Sequence, residues 1–221
     1  MRIKVNLTQP TCEVPINNQH FLNGFIHKVF GKNNNLHDSF SNYNISSLQG
    51  GKLNDDKKTL SFNESNPYIL ISGDNDFITF VIESFMKSDA SMFGMKYDYF
   101  DSSYDFVLHS YYDNVITVSP ILLKNKDGRK ITYKNENWLN LLMYQCIKKL
   151  EYNGIYDPNF KIEIINEHKA KEKCVWVGDV FNVCSSIRLK VYGSKKTRTL
   201  IYNMGLGNST GSGFGTIKIY D

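Results

Sequence analysis

No Cys-x-x-C pair, no long apolar stretch and no heavy excess of one charge marks this sequence, and each absence removes a class of protein. The four cysteines, Cys12, Cys146, Cys174 and Cys184, stand apart from one another and from any histidine cluster. That spacing points to reduced, incidental thiols, with neither a zinc site nor a disulfide framework; Asp and Glu are spread without a paired pattern that would hold two magnesium ions, and no cofactor is expected. No run approaches the roughly 20 apolar residues of a membrane span. Met1–Thr8 alternates charged and apolar residues where a secretory signal would need an apolar core. A cytoplasmic protein without a membrane partner is expected. The formal charge is only +4, compatible with a polyanionic ligand yet shared by many ordinary enzymes.

What the sequence has instead is aromatic and hydrophobic material in strand and helix periods. Aromatic residues make up 14% of the 221 residues, as in packed, strand-rich proteins. Alternation through Ile3, Val5 and Leu7 predicts a strand with one buried face. Phe21, Leu22, Phe25, Ile26, Val29 and Phe30 recur at helical spacing, with Asn17 as a cap and Gly31 as a stop. A strand is expected near Ile45–Leu48, a hairpin through Thr59–Phe62 and Tyr68–Ser72, and a second helix opened by Asp74 or Asn75. Extended segments follow at Met92–Tyr99, Phe106–His109 and Val115–Val118.

The second half repeats the cycle. It begins with a predicted strand at Ile121–Leu123, a turn at Asp127-Gly128 and a helix over Asn137–Tyr152, with Trp138, Leu141, Leu142, Ile147 and Leu150 as its buried face. Strands are expected at Phe160–Ile165, Cys174–Val177, Val180–Val183 and Ile187–Val191, then a short helix over Ser194–Met204 and a last strand over Gly215–Tyr220. Each half therefore reads strand, helix, two strands, helix, strand. That is the order of a ferredoxin-like βαββαβ unit in an α+β protein. The expected domains are residues 1–120 and 121–221, packed tightly together.

The most specific local pattern is Gly205-Leu206-Gly207-Asn208-Ser209-Thr210-Gly211-Ser212-Gly213-Phe214-Gly215. Such a segment can turn tightly or offer backbone N–H groups to phosphate oxygens. A Rossmann or Walker loop would follow a strand and open a helix, whereas this one follows a helix and precedes a strand. The pattern resembles the signature loop of the CRISPR-associated repeat-processing endoribonucleases of the RAMP superfamily. Leu189-Lys190-Val191-Tyr192-Gly193 before it, Thr117-Val118-Ser119-Pro120-Ile121 with Asp127-Gly128 further upstream, and Val14-Pro15-Ile16-Asn17 with Leu36-His37 near the start are similar to that family as well.

The resemblance implies tandem ferredoxin-like domains with a C-terminal glycine-rich loop, and a metal-independent cut in CRISPR repeat RNA. In that reaction the ribose 2′-hydroxyl attacks the adjacent phosphate, leaving 2′,3′-cyclic phosphate and 5′-hydroxyl ends. It maps His37 onto the family's catalytic histidine and His27 onto a helix position often held by an assisting tyrosine. Considered without the family, His20 and His27 lie opposite the apolar helix face, where solvent exposure is the ordinary reading. An imidazole with an unperturbed pKa of about 6.5 can give or take a proton near neutrality. General acids and bases each contribute about 10²–10⁴ in rate. Which histidine is acid and which is base stays open. No lysine follows His37 in Asp38-Ser39-Phe40-Ser41-Asn42-Tyr43; Tyr43 can donate a hydrogen bond there but supplies no fixed charge.

Basic residues that would meet RNA are Lys28, Lys126, Arg129, Arg188, Lys195, Lys196 and Arg198, beside Gly205, Gly207, Gly211, Gly213 and Gly215. The expected partner is precursor CRISPR repeat RNA; an effector complex and a homodimer stay open. Two other readings remain at this point. One is a noncatalytic RNA-binding subunit of an effector complex; the other is a small-ligand protein that holds a nucleotide phosphate on the glycine segment.

Overall fold

A computed structural model describes residues 1–31, 42–102 and 111–220. The first half contains β1 (Arg2–Leu7), β2 (Val14–Pro15), α1 (Gln19–Phe30), β3 (Asn44–Ile45), β4 (Lys52–Leu53), β5 (Thr59–Ser61), β6 (Tyr68–Ser72), α2 (Asn75–Lys87) and β7 (Tyr97–Asp101). Its main sheet is antiparallel in the order β3-β6-β1-β7, and β2, β5 and β4 form a small side sheet. Without the side sheet the order is βαββαβ, a ferredoxin-like unit. Leu22, Phe25, Ile26 and Val29 of α1 and Ile78, Val81 and Phe85 of α2 share one core with Ile3, Val5 and Leu7.

The expected hairpin between Thr59–Phe62 and Tyr68–Ser72 does not form. β5 pairs with β2 and β4, while β6 pairs with β1 and β3. Burial gives the reason. Ile69, Leu70 and Ile71 are all buried, so β6 needs a central place in a covered sheet, whereas β5 is only half buried throughout.

The second half contains β8 (Tyr112–Thr117), α3 (Trp138–Tyr152), β9 (Lys161–Ile165), β10 (Lys171–Val177), β11 (Val180–Ser186), β12 (Arg188–Tyr192), α4 (Lys195–Met204) and β13 (Ile217–Ile219). Its sheet order is β13-β8-β12-β9, again ferredoxin-like, with β10 and β11 inserted as a hairpin. The chain is thus a tandem pair of such units. The second sheet draws its first strand from Tyr112–Thr117, and the expected strand at Ile121–Leu123 is not one. Ile121 instead exchanges backbone hydrogen bonds with Ser185, and Leu122 accepts one from Asn208. The predicted extended stretch Phe106–His109 lies outside the described residues.

Local signals set the helix ends. Asp74 accepts from the Phe77 backbone N–H at 2.8 Å and Ser194 from that of Thr197 at 3.2 Å, both N-cap bonds. Before α1 the cap position is Asn18, whose amide bonds the Pro15 carbonyl instead. Gly31 ends α1 at φ 78°, a conformation open to glycine. The buried stripe of α3 runs through Trp138, Leu142, Cys146 and Leu150 and takes in Lys149, while Ile147, read as buried, is 39% exposed. The stripe follows the helical period, and Ile147 falls just past its edge. Among the described residues, no helix is long and apolar enough to cross a membrane.

Candidate nucleic-acid interface

The glycine-rich segment forms the joint between the two units. Asn44, fully buried, donates its amide to the carbonyls of Thr210 at 3.0 Å and Phe214 at 2.9 Å, and its Oδ1 accepts from the Thr216 hydroxyl at 2.6 Å. Gln19, the first residue of α1, donates to the Ser212 carbonyl at 3.1 Å. Thr210 donates its hydroxyl to the Tyr43 carbonyl at 3.1 Å. The glycines permit this closeness. A methyl group on Gly211 would lie 2.6 Å from the Tyr43 ring, and one on Gly213, where φ is 89°, would lie 2.0 Å from Gln19 Nε2. Gly205 and Gly207 meet Asn44 and the Leu122 carbonyl as closely, and Gly215 abuts the Leu206 carbonyl.

Several N–H groups expected to face phosphate are engaged within the fold. Those of Leu206 and Asn208 donate to Gly215 and Leu122, and that of Gly215 donates to Pro120. The segment's packing role was not legible in its composition, because glycine permits close approach without naming the partner.

His27 and Lys28 are exposed on α1. His37 lies outside the described residues. The chain that carries it leaves α1 at Gly31 and re-enters the described structure at Asn42, next to Tyr43 and Asn44. Tyr43 is half buried, its ring stacked on Phe77 with centroids 4.5 Å apart. His20 is exposed beside the Gly178 turn of the β10–β11 hairpin, and His168 is exposed after β9. Among the described residues, no group of three or more His, Cys, Asp or Glu side chains is placed to hold a metal ion.

Four of the predicted cations lie in two exposed sets. Lys126 and Arg129 are exposed on a turn in which Asn125 accepts from the Arg129 N–H. That turn adjoins the glycine segment, since the Lys124 N–H donates to Asn208 Oδ1 at 2.9 Å. Lys195 and Lys196 are exposed at the start of α4. Arg198, expected on the same surface, is instead buried. Its guanidinium pairs with Asp113, also buried, and donates to the Gly193 carbonyl at 2.9 Å. On α4 it sits two and three residues beyond Lys196 and Lys195, and the helical turn carries it round to the sheet.

A further cationic surface holds Arg188, which the sequence nominates, on β12. Leu189 and Val191 of β12 face the core, so Arg188, Lys190 and Tyr192 face away from the helices. Lys190 Nζ lies 4.3 Å from the Tyr112 ring centre and Arg188 lies over Tyr220 at 5.2 Å, both cation–π contacts. The Tyr192 hydroxyl donates to Glu163 at 2.7 Å, which raises its pKa above the ordinary phenol value. The signal was present as period-two alternation of basic and aromatic with aliphatic residues, but cross-strand register was needed to assemble it.

Two buried cations close the last turn of α4. Arg2 donates to the Tyr202 carbonyl at 2.8 Å and to that of Ile217. Lys149 Nζ donates to the carbonyls of Gly205 at 3.0 Å and Met204 at 3.4 Å. The Tyr202 and Met204 oxygens lie in the last turn of α4, where carbonyls lack a partner within the helix, and positive charge is favourable at this end. Burial pushes Lys149 down to about 8, partly offset by the neighbouring Cys146 thiol.

The family model described as CRISPR associated protein Cas6, C-terminal, matches residues 107–219. CRISPR-associated endoribonuclease Cas6 1 of Methanocaldococcus jannaschii is 25% identical over 236 residues, covering 98% of this chain and 92% of that protein. A solved structure described as a Cas6-related gene product from Pyrococcus furiosus superposes with a TM-score of 0.83 at 22% identity, covering 100% of this chain and 98% of the other. A RAMP protein described as binding different RNA substrates gives 0.81 at 21% identity over the full length of both.

Proposed function

This chain belongs to the CRISPR-associated Cas6 family, and we propose that it is an endoribonuclease that cuts precursor CRISPR repeat RNA to release guide RNAs. The observation that carries this reading is the docking of the glycine-rich segment by Gln19, Tyr43 and Asn44. These residues belong to the helix that bears His27 and to the return of the chain segment that bears His37. RNA held along the second unit's cationic surfaces would therefore run beside the helix that bears His27.

In this reading the 2′-hydroxyl attacks the adjacent phosphorus, one imidazole accepting its proton and the other protonating the departing 5′ oxygen. The products are a 2′,3′-cyclic phosphate and a 5′-hydroxyl, and the step draws on no metal ion. Tyr43 is the third member, a donor to the phosphate that supplies no positive charge. Lys28, next to His27, provides the nearby cation for the pentavalent phosphorus.

The second reading, a noncatalytic RNA-binding subunit, is favoured by the absence of lysine between His37 and Tyr43. Incubating the chain in EDTA with a transcript of its repeat array tests both. Cleavage giving cyclic phosphate ends, reduced about 10²–10⁴-fold in His37→Ala and in His27→Ala, supports the enzyme. Tight binding with the transcript left intact supports the subunit.

A further inference from the structure

The β10–β11 hairpin has two unlike faces. Val175 and Val177 pack on a small core of Leu122, Cys184 and Phe214, so this face holds the hairpin against the glycine-rich segment. Side chains alternate along a strand, and Trp176 with its cross-strand partner Phe181 therefore points the other way. Near the base of that outer face Ser185 accepts from the Tyr133 N–H at 2.9 Å and Glu172 from the Thr132 hydroxyl at 2.6 Å. Towards the tip Trp176 is 43% exposed and Phe181 40%.

The two rings lie 5.0 Å apart, tilted by 55°, and pack on each other. Tryptophan is strongly buried on average, and the hairpin is anchored through its opposite face, so packing within the chain does not account for the pair. Its surroundings are cationic. The Lys130 ammonium donates to the Phe181 carbonyl, and Lys124 and Lys130 face each other across the turn that exposes Lys126 and Arg129. Asp127 in that turn and Asp179 at the hairpin tip are the acids of the two turns, two carboxylates against four cations. Glu172 is already paired with Lys134. The same hairpin reaches the first unit, because a methyl group on Gly178 would lie 3.6 Å from His20 Nδ1 on α1.

We propose that Trp176 and Phe181 form a platform on which one unpaired base of the bound RNA stacks, an inference that rests on the RNA reading above. Lys126, Arg129 and Lys130 hold the phosphates beside that base. The positive rim favours a polyanion over an apolar protein surface, and a rigid aromatic pair beside such charge is suited to base stacking. Every base has a π-face, so the platform fixes the path of the strand without choosing its sequence.

The test uses the full chain and a synthetic repeat RNA. The chain has two tryptophans, and Trp138 is fully buried, so a fall in tryptophan emission on adding RNA reports on Trp176. The wild type is expected to show that fall, and Trp176→Phe, which keeps an aromatic ring, to lose it while retaining most of the affinity. Trp176→Ala combined with Phe181→Ala is expected to bind about tenfold more weakly. In a set of RNAs carrying an abasic ribose at each position in turn, one position should weaken the wild type and leave the double variant unchanged. If the wild type binds RNA with unaltered emission, or the double variant keeps its affinity and abasic profile, the platform is refuted and the RNA reading survives. A double variant that loses self-association, with RNA affinity intact, refutes it likewise and makes the pair a protein contact. If the wild type does not bind the repeat RNA at all, that reading falls and the platform with it.

Discussion

Arg2 lays its guanidinium 3.7 Å from the centre of the Tyr202 ring while donating to that residue's carbonyl oxygen. The first strand of the chain is thereby bound to the last turn of α4, so the two units share one buried cation. Arg2→Met removes the donor to two carbonyls and leaves them buried, at a cost of about 3 kcal/mol. Thermal unfolding should show a midpoint about 6–12 °C lower than wild type; an unchanged midpoint would mean the joint does not depend on Arg2.

Asn44 is the corresponding lock on the glycine-rich segment. Asn44→Ala strips donors from Thr210 and Phe214 and the acceptor from Thr216, costing about 2–4 kcal/mol. Amide hydrogen exchange should quicken across residues 210–216 well before it changes in β8 or β12.

Gly213 and Gln19 are coupled by space. Gly213→Ala sets a methyl group against the Gln19 amide and strains a positive φ. The obstructing atoms end a flexible side chain, so Gln19→Ala should restore part of the stability lost in Gly213→Ala. A double-mutant cycle on urea unfolding is expected to give a non-zero coupling.

Arg198 and its neighbours should separate by experiment. Arg198→Gln removes the buried ion pair with Asp113, with an expected loss of about 3–5 kcal/mol of stability. Lys195→Ala with Lys196→Ala should leave stability within about 0.5 kcal/mol and lower the slope of log affinity against log salt by about one for each phosphate contact removed.

Lys149 predicts a pH dependence of definite sign. Its folded value of about 8 lies below the unfolded value of about 10.4. Between those values the unfolded chain binds more protons, so this group makes stability rise with pH. The contribution is absent below about pH 8 and reaches about 3 kcal/mol above pH 10. Subtracting the stability profile of Lys149→Met from that of wild type over pH 7–11 should isolate this rise; a flat difference would contradict it.

Periodicity and cap residues determined most of the helices and strands, because the apolar stripe of α1, Asp74 before α2 and Ser194 before α4 act within a few residues of the chain. They also determined the double βαββαβ order, which follows from local elements in sequence. Strand pairing was decided elsewhere. β6 left its expected hairpin because central burial outweighed sequence proximity, and Ile121–Leu123 stayed outside the sheet while β8 supplied its first strand. The same limit governed the candidate site. Residue type and spacing could nominate His27 and Lys195, whose surroundings are solvent. They could not show that Arg198 turns inward to Asp113 or that Asn44 clasps the glycine segment, since those facts arise only when residues distant in the chain share a low-dielectric interior.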